Sequence, residues 1–219
     1  MQSVRLTKLV SLIPQCDVLA DVGCDHGYVG IEALRLGKAQ RVAFIDVSRA
    51  SLEKAQRNCP RELIDRASFY CQDGIGKICG DCVIIAGMGG LEIISILDSA
   101  ENLPQKLVLQ PMRNQRDVRK YISQHYELIT DEKFFDVKYY DVIVAERVEQ
   151  PTKLTELELE FGKSNVSAPT NDFINFLKQE QNKLTNILDG CNDSEVQRKL
   201  TGVQQMLEIA ENRQRSNSI

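Results

Sequence analysis

The 219-residue chain lacks any apolar run near the roughly 20 residues that a membrane-spanning helix needs. Residues 1–8 lack the apolar core of a signal peptide, so we expect a cytoplasmic protein that does not bind membranes. The only histidines, His26 and His125, do not stand at zinc-ligand spacing from the pair Cys79 and Cys82. Seven scattered cysteines are an odd number, which favours reduced, buried thiols over a disulfide framework. We therefore expect no metal site.

An excess of positive charge is also missing, since 27 Lys and Arg stand against 31 Asp and Glu, for a net charge of −4. This balance excludes nucleic-acid binding by bulk attraction, although a local basic patch can still contact phosphate. Hydrophobic residues at 42% and charged residues at 26% are normal for a globular chain. The length allows one domain with a sizeable core and a small appendage.

What the sequence does contain is an alternation of short apolar runs with amphipathic stretches. A predicted helix at residues 6–13 precedes five strands, four of which lead into a predicted helix, and two strand-like runs then follow without a helix between them. Repeated strand–helix units imply a parallel, doubly wound sheet, whereas the closing pair predicts a hairpin whose last strand is antiparallel. We predict an α/β fold over residues 1–150, a Rossmann-like sheet of seven strands as in class I methyltransferases. The predicted strands are residues 18–22, 41–46, 67–71, 81–86, 106–111, 126–135 and 137–148.

The remaining segment, residues 151–219, has a different character. Residues 161–171 are rich in Ser, Asn, Gly and Pro and predict a linker. Beyond them, apolar residues follow a heptad spacing that predicts an antiparallel coiled-coil hairpin with a turn at residues 190–194. The alternative is a plain helical pair packed on the sheet, and the hairpin could also support self-association. The heptad positions are Phe173, Leu177, Leu184, Ile187, Val196, Leu200, Val203, Leu207 and Ala210.

Chemically suggestive residues follow the predicted parallel strands, at the edge where open α/β sheets bind ligands. Glycines after the first strand allow a tight turn that a ligand can approach closely. Asp46 ends the second strand, where a carboxylate can accept hydrogen bonds from ribose hydroxyls. Asp73 follows the third strand, suitably placed for the exocyclic amine of adenine, and residues 87–90 follow the fourth. This order predicts a nucleoside-containing cofactor.

Two cofactor classes compete for such an edge. Nicotinamide dinucleotides use the spacing G-x-G-x-x-G, which places a pyrophosphate at a helix N-terminus. Here the glycines are Gly23, Gly27 and Gly30, and Asp25 lies inside the turn. An anionic side chain repels a pyrophosphate but suits a ligand that carries an ammonium and a sulfonium group. The turn therefore favours S-adenosylmethionine.

Four strings narrow this prediction: DVGCDHGY at residues 21–28, AGMGG at 86–90, LQP at 109–111 and YDVIV at 140–144. They resemble bacterial tRNA adenine-N1 methyltransferases that act on position 22. The resemblance implies methyl transfer from S-adenosylmethionine to N1 of an adenine in tRNA. The implied cofactor site consists of Asp21, Gly23, Asp25, His26, Gly27, Asp46, Asp73, Gly74 and Gly87. The implied catalytic positions, bordering the base pocket, are Met88, Gly89, Gln110 and Pro111.

The chain departs from that family at two positions. Met112 follows Gln110-Pro111 where the family usually has Asn, so a polar group near the base pocket is lost. Asp46 stands where members often carry the longer Glu.

The expected chemistry is simple, because N1 of neutral adenine is already nucleophilic and needs alignment rather than deprotonation. Proximity and orientation can supply up to ~7–11 kcal/mol of barrier reduction. N1 lies on the pairing edge, so a paired target base must be exposed or flipped. His26 is a candidate general base or, alternatively, a residue of the cofactor shell.

RNA contacts are predicted at a basic cluster and at one aromatic residue. Tyr28 could stack on a base or pack within its helix. The cluster could contact phosphate or form a solvated helix face. Its members are Arg113, Arg116, Arg119 and Lys120. A small-molecule methyltransferase and a non-catalytic module that binds RNA or partners remain alternative functions.

Overall fold

The computed structural model describes residues 3–77, 80–190 and 192–216, so Cys79 of the predicted cysteine pair lies outside the described residues. The strands are β1 Cys16–Val22, β2 Ala39–Asp46, β3 Ala67–Cys71, β4 Cys82–Met88, β5 Lys106–Pro111, β6 Tyr126–Asp136 and β7 Lys138–Arg147. The helices are α1 Val4–Leu12, α2 Tyr28–Arg35, α3 Arg49–Asn58, α4 Gly90–Asp98, α5 Gln115–Ile122, α6 Glu156–Phe161, α7 Lys163–Ser167, α8 Asn171–Leu188 and α9 Ser194–Ser216.

The strands form one sheet in the order β3-β2-β1-β4-β5-β7-β6. Strands β1 to β5 are parallel, whereas β7 runs antiparallel to both β5 and β6. Only Val137 separates β6 from β7, and a connection that short forces an antiparallel hairpin. The predicted fold class is therefore confirmed, including the reversed last strand.

The central strands are buried on both faces, as expected for parallel strands covered by helices on two sides. Leu19 and Ile84 belong to the apolar core on one face of the sheet. Ala20 and Ile85, their immediate neighbours along β1 and β4, belong to the core on the other face. This two-sided burial fixes the strand register, and with it the positions at which the strands end.

The C-terminal helices α8 and α9 pack against each other through apolar residues that include Phe173, Leu177, Leu200 and Val203. The predicted helical hairpin is thus present, and its α8 end also packs on the sheet. The backbone N–H of Phe135 in β6 donates a hydrogen bond to Asp172 Oδ2 at 3.0 Å. The helical hairpin therefore extends from the edge of the sheet that β6 forms.

The prediction of a linker at residues 161–171 is wrong, because this segment contains α7 and packs on the sheet. Asn165 is fully buried; its Nδ2 donates to the carbonyl of Phe161 at 2.7 Å and its Oδ1 accepts from Lys133 N–H at 3.0 Å. The polar residues that suggested a linker instead satisfy backbone groups of α6 and β6. The proposed division at residue 150 falls between β7 and α6.

Within the described ranges, no helix combines the length and apolar character that crossing a membrane requires. The same residues contain no group of three or more His, Cys, Asp or Glu side chains arranged to hold a metal ion.

Candidate active site

The carboxyl ends of the five parallel strands meet at one edge of the sheet. Val22 at the end of β1 is aligned with Ile45 in β2 and Ile85 in β4. Asp46 is aligned with Cys71, and Met88 with Pro111. The turns after β1, β2, β3, β4 and β5 therefore form one continuous rim, which contains most of the sequence-predicted cofactor and base residues, whereas Asp21, Gln110 and Pro111 are buried.

The turn after β1 has a conformation that depends on glycine. Gly23 and Gly27 have φ angles of +67° and +72°, and Asp25 between them has φ +44°. The backbone N–H groups of Gly23 and Cys24 both donate to the carbonyl of Ile45, at 2.8 and 3.2 Å. The turn is thus fixed to the end of β2 and leads directly into α2.

Asp21 organises this turn from within the protein. It is 6% exposed, and its Oδ2 accepts a hydrogen bond from Gly30 N–H, in the first turn of α2, at 3.0 Å. Burial raises the pKa of the Asp21 carboxyl to about 7, the hydrogen bond from Gly30 opposes that shift, and nearby Asp46 adds to it. Asp21 therefore holds α2 against β1, beneath the rim.

Asp46 links two of the rim turns. Its Oδ2 accepts from Asp25 N–H at 3.1 Å, and its Oδ1 accepts from Ser48 N–H at 2.8 Å. Both oxygens are thereby fixed in position, and each keeps a further lone pair for another donor. The side chain is half-buried, so these lone pairs adjoin the rim.

Asp25 and its neighbours form an exposed group on the turn. The Asp25 carboxylate lies 3.5 Å from Lys54 Nζ and 3.6 Å from His26 Nε2. The ring of His26 stacks on that of Tyr28, with 5.3 Å between centroids and 6° between planes. Lys54, on α3, was not predicted; its distance in the chain from the glycine turn concealed the contact.

The turn after β3 is held by a residue that sequence reasoning missed. Gln72 Nε2 donates to the carbonyls of Gly74 and Ile75, at 3.1 and 2.8 Å. Gly74 has φ +68°, and Ile75 is buried in the core. This arrangement leaves the Asp73 side chain exposed on the rim.

The segment at the end of β4 contacts both the glycine turn after β1 and the turn after β5. Met88 packs its Cε methyl group against Gly23, so it lies over the glycine turn as well as beside the predicted base pocket. Gly87 has φ +84° and is exposed. A side chain at Gly90 would lie 2.6 Å from the carbonyl oxygen of Arg113, so glycine there lets the turns after β4 and β5 pack together.

Gln110 and Pro111, at the end of β5, are both buried beneath the turns that follow β4 and β5. Gln110 Oε1 accepts a hydrogen bond from Arg5 Nε at 2.8 Å, and its Nε2 lies 3.2 Å from the sulfur of Met112. Arg5, on α1, thus covers Gln110 and was missed because 105 residues separate the two. The Gln110 side chain is thus fully buried, contrary to the prediction that it borders the base pocket.

The four members of the predicted basic cluster after β5 have different environments in the structure. Arg113 is exposed, with its Nε 3.2 Å from where a Cβ on Gly89 would lie, whereas Arg116 pairs with Glu156 at 2.7 Å. Lys120 is exposed at the far end of α5. Only Arg119 contradicts its prediction outright.

Arg119 is 1% exposed and cannot reach a phosphate. Its Nε donates to both oxygens of Asp131, at 3.0 and 2.9 Å, and its Nη2 donates to Asp141 at 2.9 Å. Burial alone would lower the pKa of Arg119, but the two carboxylates raise it above its ordinary value. The amphipathic pattern of α5 placed this arginine on the face that packs against the sheet, and the acids of β6 and β7 complete an ion network there.

This architecture defines a class I methyltransferase: seven strands with the last one reversed, a glycine turn after β1, an acidic residue at the end of β2 and another after β3. Residues 19–212 match the TrmK family, described as tRNA (adenine(22)-N(1))-methyltransferase. Because the match spans most of the chain, the protein belongs to this family, whose methyl donor is S-adenosylmethionine.

Individual relatives agree with this assignment. A tRNA (adenine(22)-N(1))-methyltransferase of Bacillus subtilis is 28% identical over 169 residues, covering 73% of this chain and 71% of the relative. The fold is shared with the crystal structure of the B. subtilis M1A22 tRNA methyltransferase TrmK, with TM-score 0.75, 24% identity and coverage of 97% and 98%. It is also shared with Mycoplasma capricolum TrmK in complex with S-adenosylhomocysteine, with TM-score 0.86, 23% identity and coverage of 96% and 99%.

Proposed function

We propose that this protein methylates N1 of the adenine at position 22 of tRNA, with S-adenosylmethionine bound along the turns after β1, β2 and β3. Membership of the family supports the reaction. The observation that carries the cofactor placement is the row of carboxylates on the rim. When bound, S-adenosylmethionine supplies an electrophilic methyl group on a sulfonium centre.

The groups on the rim match the chemistry of that cofactor. The cofactor presents a positive ammonium group, ribose hydroxyls and an adenine amine, all of which are cationic or can donate hydrogen bonds. The chain presents acceptors in Asp25, Asp46 and Asp73, after three successive strands. Gly23 and Gly27 adopt the positive φ angles that the tight turn requires, and the turn thereby presents Asp25 on the rim.

The surface after β4 and β5 is suited to a flat base. Gly87 and Gly89 carry no side chains, and Gly87 is exposed. Alignment suffices for a neutral adenine, so the role of these residues is to let the base approach edge-on. Arg5 and Gln110 support this glycine surface from the protein side through their hydrogen bond. Gln110 Nε2 there contacts the sulfur of Met112, which is a weaker acceptor than oxygen.

The tRNA contacts that remain from the predicted set are Arg113, Lys120 and Tyr28, all exposed. A base flipped towards Gly87 costs a few kcal/mol, which such contacts would offset. We place the reaction in the cytoplasm, where tRNA is modified, and propose that the helical hairpin α8–α9 contributes to tRNA capture or to self-association.

The direct test supplies purified protein with labelled S-adenosylmethionine and unmodified tRNA, with free adenosine as the competing substrate. Incorporation that requires tRNA supports the proposal. Equal incorporation into free adenosine would instead indicate a small-molecule enzyme. Absence of S-adenosylmethionine binding in calorimetry would indicate a non-catalytic module.

A further inference from the structure

Three cations adjoin the base-facing part of the rim without an ion pair. Arg5, Arg113 and Lys138 form no salt bridge with any residue that the structure describes. Two nearby cations are paired, Lys8 of α1 with Glu132 and Arg116 of α5 with Glu156. Unpaired cations grouped at one place favour an anionic partner.

Two of these cations converge on one aromatic ring. Arg5 Cζ lies 5.4 Å from the centroid of the Tyr140 ring, and Lys138 Nζ lies 5.3 Å from the same centroid. These distances are within the range of cation–π attraction, which partly offsets the repulsion between the two charges. Tyr140, near the start of β7, is therefore in contact with two positive charges.

Arg5 is also fixed in direction by its other contacts. Its backbone N–H donates to Asp136 Oδ2 at 2.8 Å, so the nearby acid engages the backbone of Arg5 and not its guanidinium. Its Nε donates to Gln110 at 2.8 Å. Its terminal nitrogens have no hydrogen-bond acceptor within residues 3–77, 80–190 and 192–216, and Nη2 lies 3.0 Å from where a Cβ on Gly87 would be. The terminal nitrogens of the Arg5 guanidinium group thus adjoin Gly87, on the surface assigned to the base.

The charge that develops during the reaction indicates which part of the substrate the Arg5 guanidinium group contacts. Methylation at N1 transfers positive charge to the adenine, so a cation bound to the base edge would oppose the transition state. A phosphate carries the opposite charge and matches the free N–H groups of a guanidinium. We propose that Arg5 and Lys138, both held at the Tyr140 ring, form a subsite for a backbone phosphate next to the target adenosine, an inference that rests on the proposed function.

The test measures tRNA affinity over a series of salt concentrations for Arg5→Ala and Lys138→Ala. Each variant should bind tRNA about tenfold more weakly at low salt, and the slope of log K against log salt should fall by about one. Arg41→Ala is the matched control, since Arg41 is an exposed cation near the amino end of β2 with no salt bridge among the described residues. Arg5→Lys should retain most of the salt slope. Unchanged S-adenosylmethionine affinity in calorimetry verifies that the variants fold.

A chemically modified RNA identifies the phosphate. Methylphosphonate linkages, placed singly on the 5′ and 3′ sides of the target adenosine, remove one negative charge each. At one of these positions the methylphosphonate should weaken RNA binding by the wild type. The same substitution should not weaken RNA binding by Arg5→Ala any further, because that variant has already lost the contact. If the affinity losses from Arg5→Ala and from the methylphosphonate add at both positions, the subsite is wrong. It is also wrong if the wild type methylates tRNA but Arg5→Ala and Lys138→Ala bind tRNA as Arg41→Ala does. Neither result would affect the proposed function. If the wild type transfers no methyl group to tRNA, the proposed function fails and the subsite with it.

Discussion

The Cε atom of Met88 lies 1.8 Å from the position that a Cβ atom on Gly23 would occupy. The end of β4 therefore packs directly onto the turn that follows β1, and the two turns assigned to base and cofactor share one contact. Gly23 is constrained twice, by this contact and by its φ of +67°. The thioether of Met88 lies where it can affect the binding of both substrates.

Gly23→Ala should weaken cofactor binding, because the new methyl group would displace the end of the Met88 side chain and the backbone would be strained. Gly37→Ala is the control, since Gly37 has φ +66° but no atom within 4 Å of the added Cβ. The control should lose only about 1–2 kcal/mol of folding stability from the left-handed backbone. Calorimetric titration with S-adenosylmethionine measures the difference. Equal cofactor affinity in both variants would contradict the role given to the contact with Met88.

Arg119→Ala should destabilise the fold by about 3–5 kcal/mol, because it leaves Asp131 buried without a cation and Asp141 paired with Lys133 alone. Arg116→Ala removes an exposed ion pair with Glu156 and should cost about 0–1 kcal/mol. Urea unfolding curves of the two variants compare these costs. A stable Arg119→Ala protein with weakened tRNA binding would restore Arg119 as an RNA contact and refute the structural role.

Asp21→Asn should change how stability depends on pH. The folded-state pKa of about 7 lies above the ordinary value of 3.8, so the folded protein keeps a proton that the unfolded chain releases. Asp21 therefore lowers the stability of the wild type as pH rises from about 4 to 7, with no further change above. Relative to Asp21→Asn, the wild type should lose about 3 kcal/mol between pH 5 and pH 8. Unfolding in the absence of cofactor at these two pH values measures this, and a constant difference would show that Asp21 is ionised throughout.

Val137→Gly should stabilise the protein by about 1 kcal/mol. Val137 is 90% exposed at the tip of the β6–β7 hairpin, with φ +60°, a region that β-branched residues rarely adopt. Val47→Gly provides the contrast, because exposed Val47 is not among the described residues with positive φ and should lose stability. Thermal unfolding distinguishes the two. If both variants melt at lower temperature, the hairpin tip is not strained.

The fold could be predicted from the sequence because its signals are local. Apolar runs such as that of β1 alternate with helical spacing, and a parallel sheet brings the ends of such strands to one edge. The positions of Asp46 and Asp73 on the rim follow directly from that rule. The reversed last strand follows from the lack of a helix between β6 and β7.

What could not be predicted depends on contacts between distant segments. Arg119 lies on the packed face of α5, and its burial depends on Asp131 and Asp141, which come from the distant β6–β7 hairpin. Arg5 contacts Gln110 across 105 residues of chain, with no local pattern to indicate it. The supposed linker at 161–171 failed similarly, since the buried hydrogen bonds of Asn165 are to β6 and α6.

The central claim is tested most directly by mass-spectrometric mapping of nucleosides in unmodified tRNA after incubation with the pure protein and S-adenosylmethionine. Arg5→Lys, processed in parallel, should yield the same product, because Arg5 positions the RNA without choosing the reacting atom. We predict N1-methyladenosine at position 22 and at no other adenosine. N6-methyladenosine, methylation at another nucleotide or an unchanged map would contradict it.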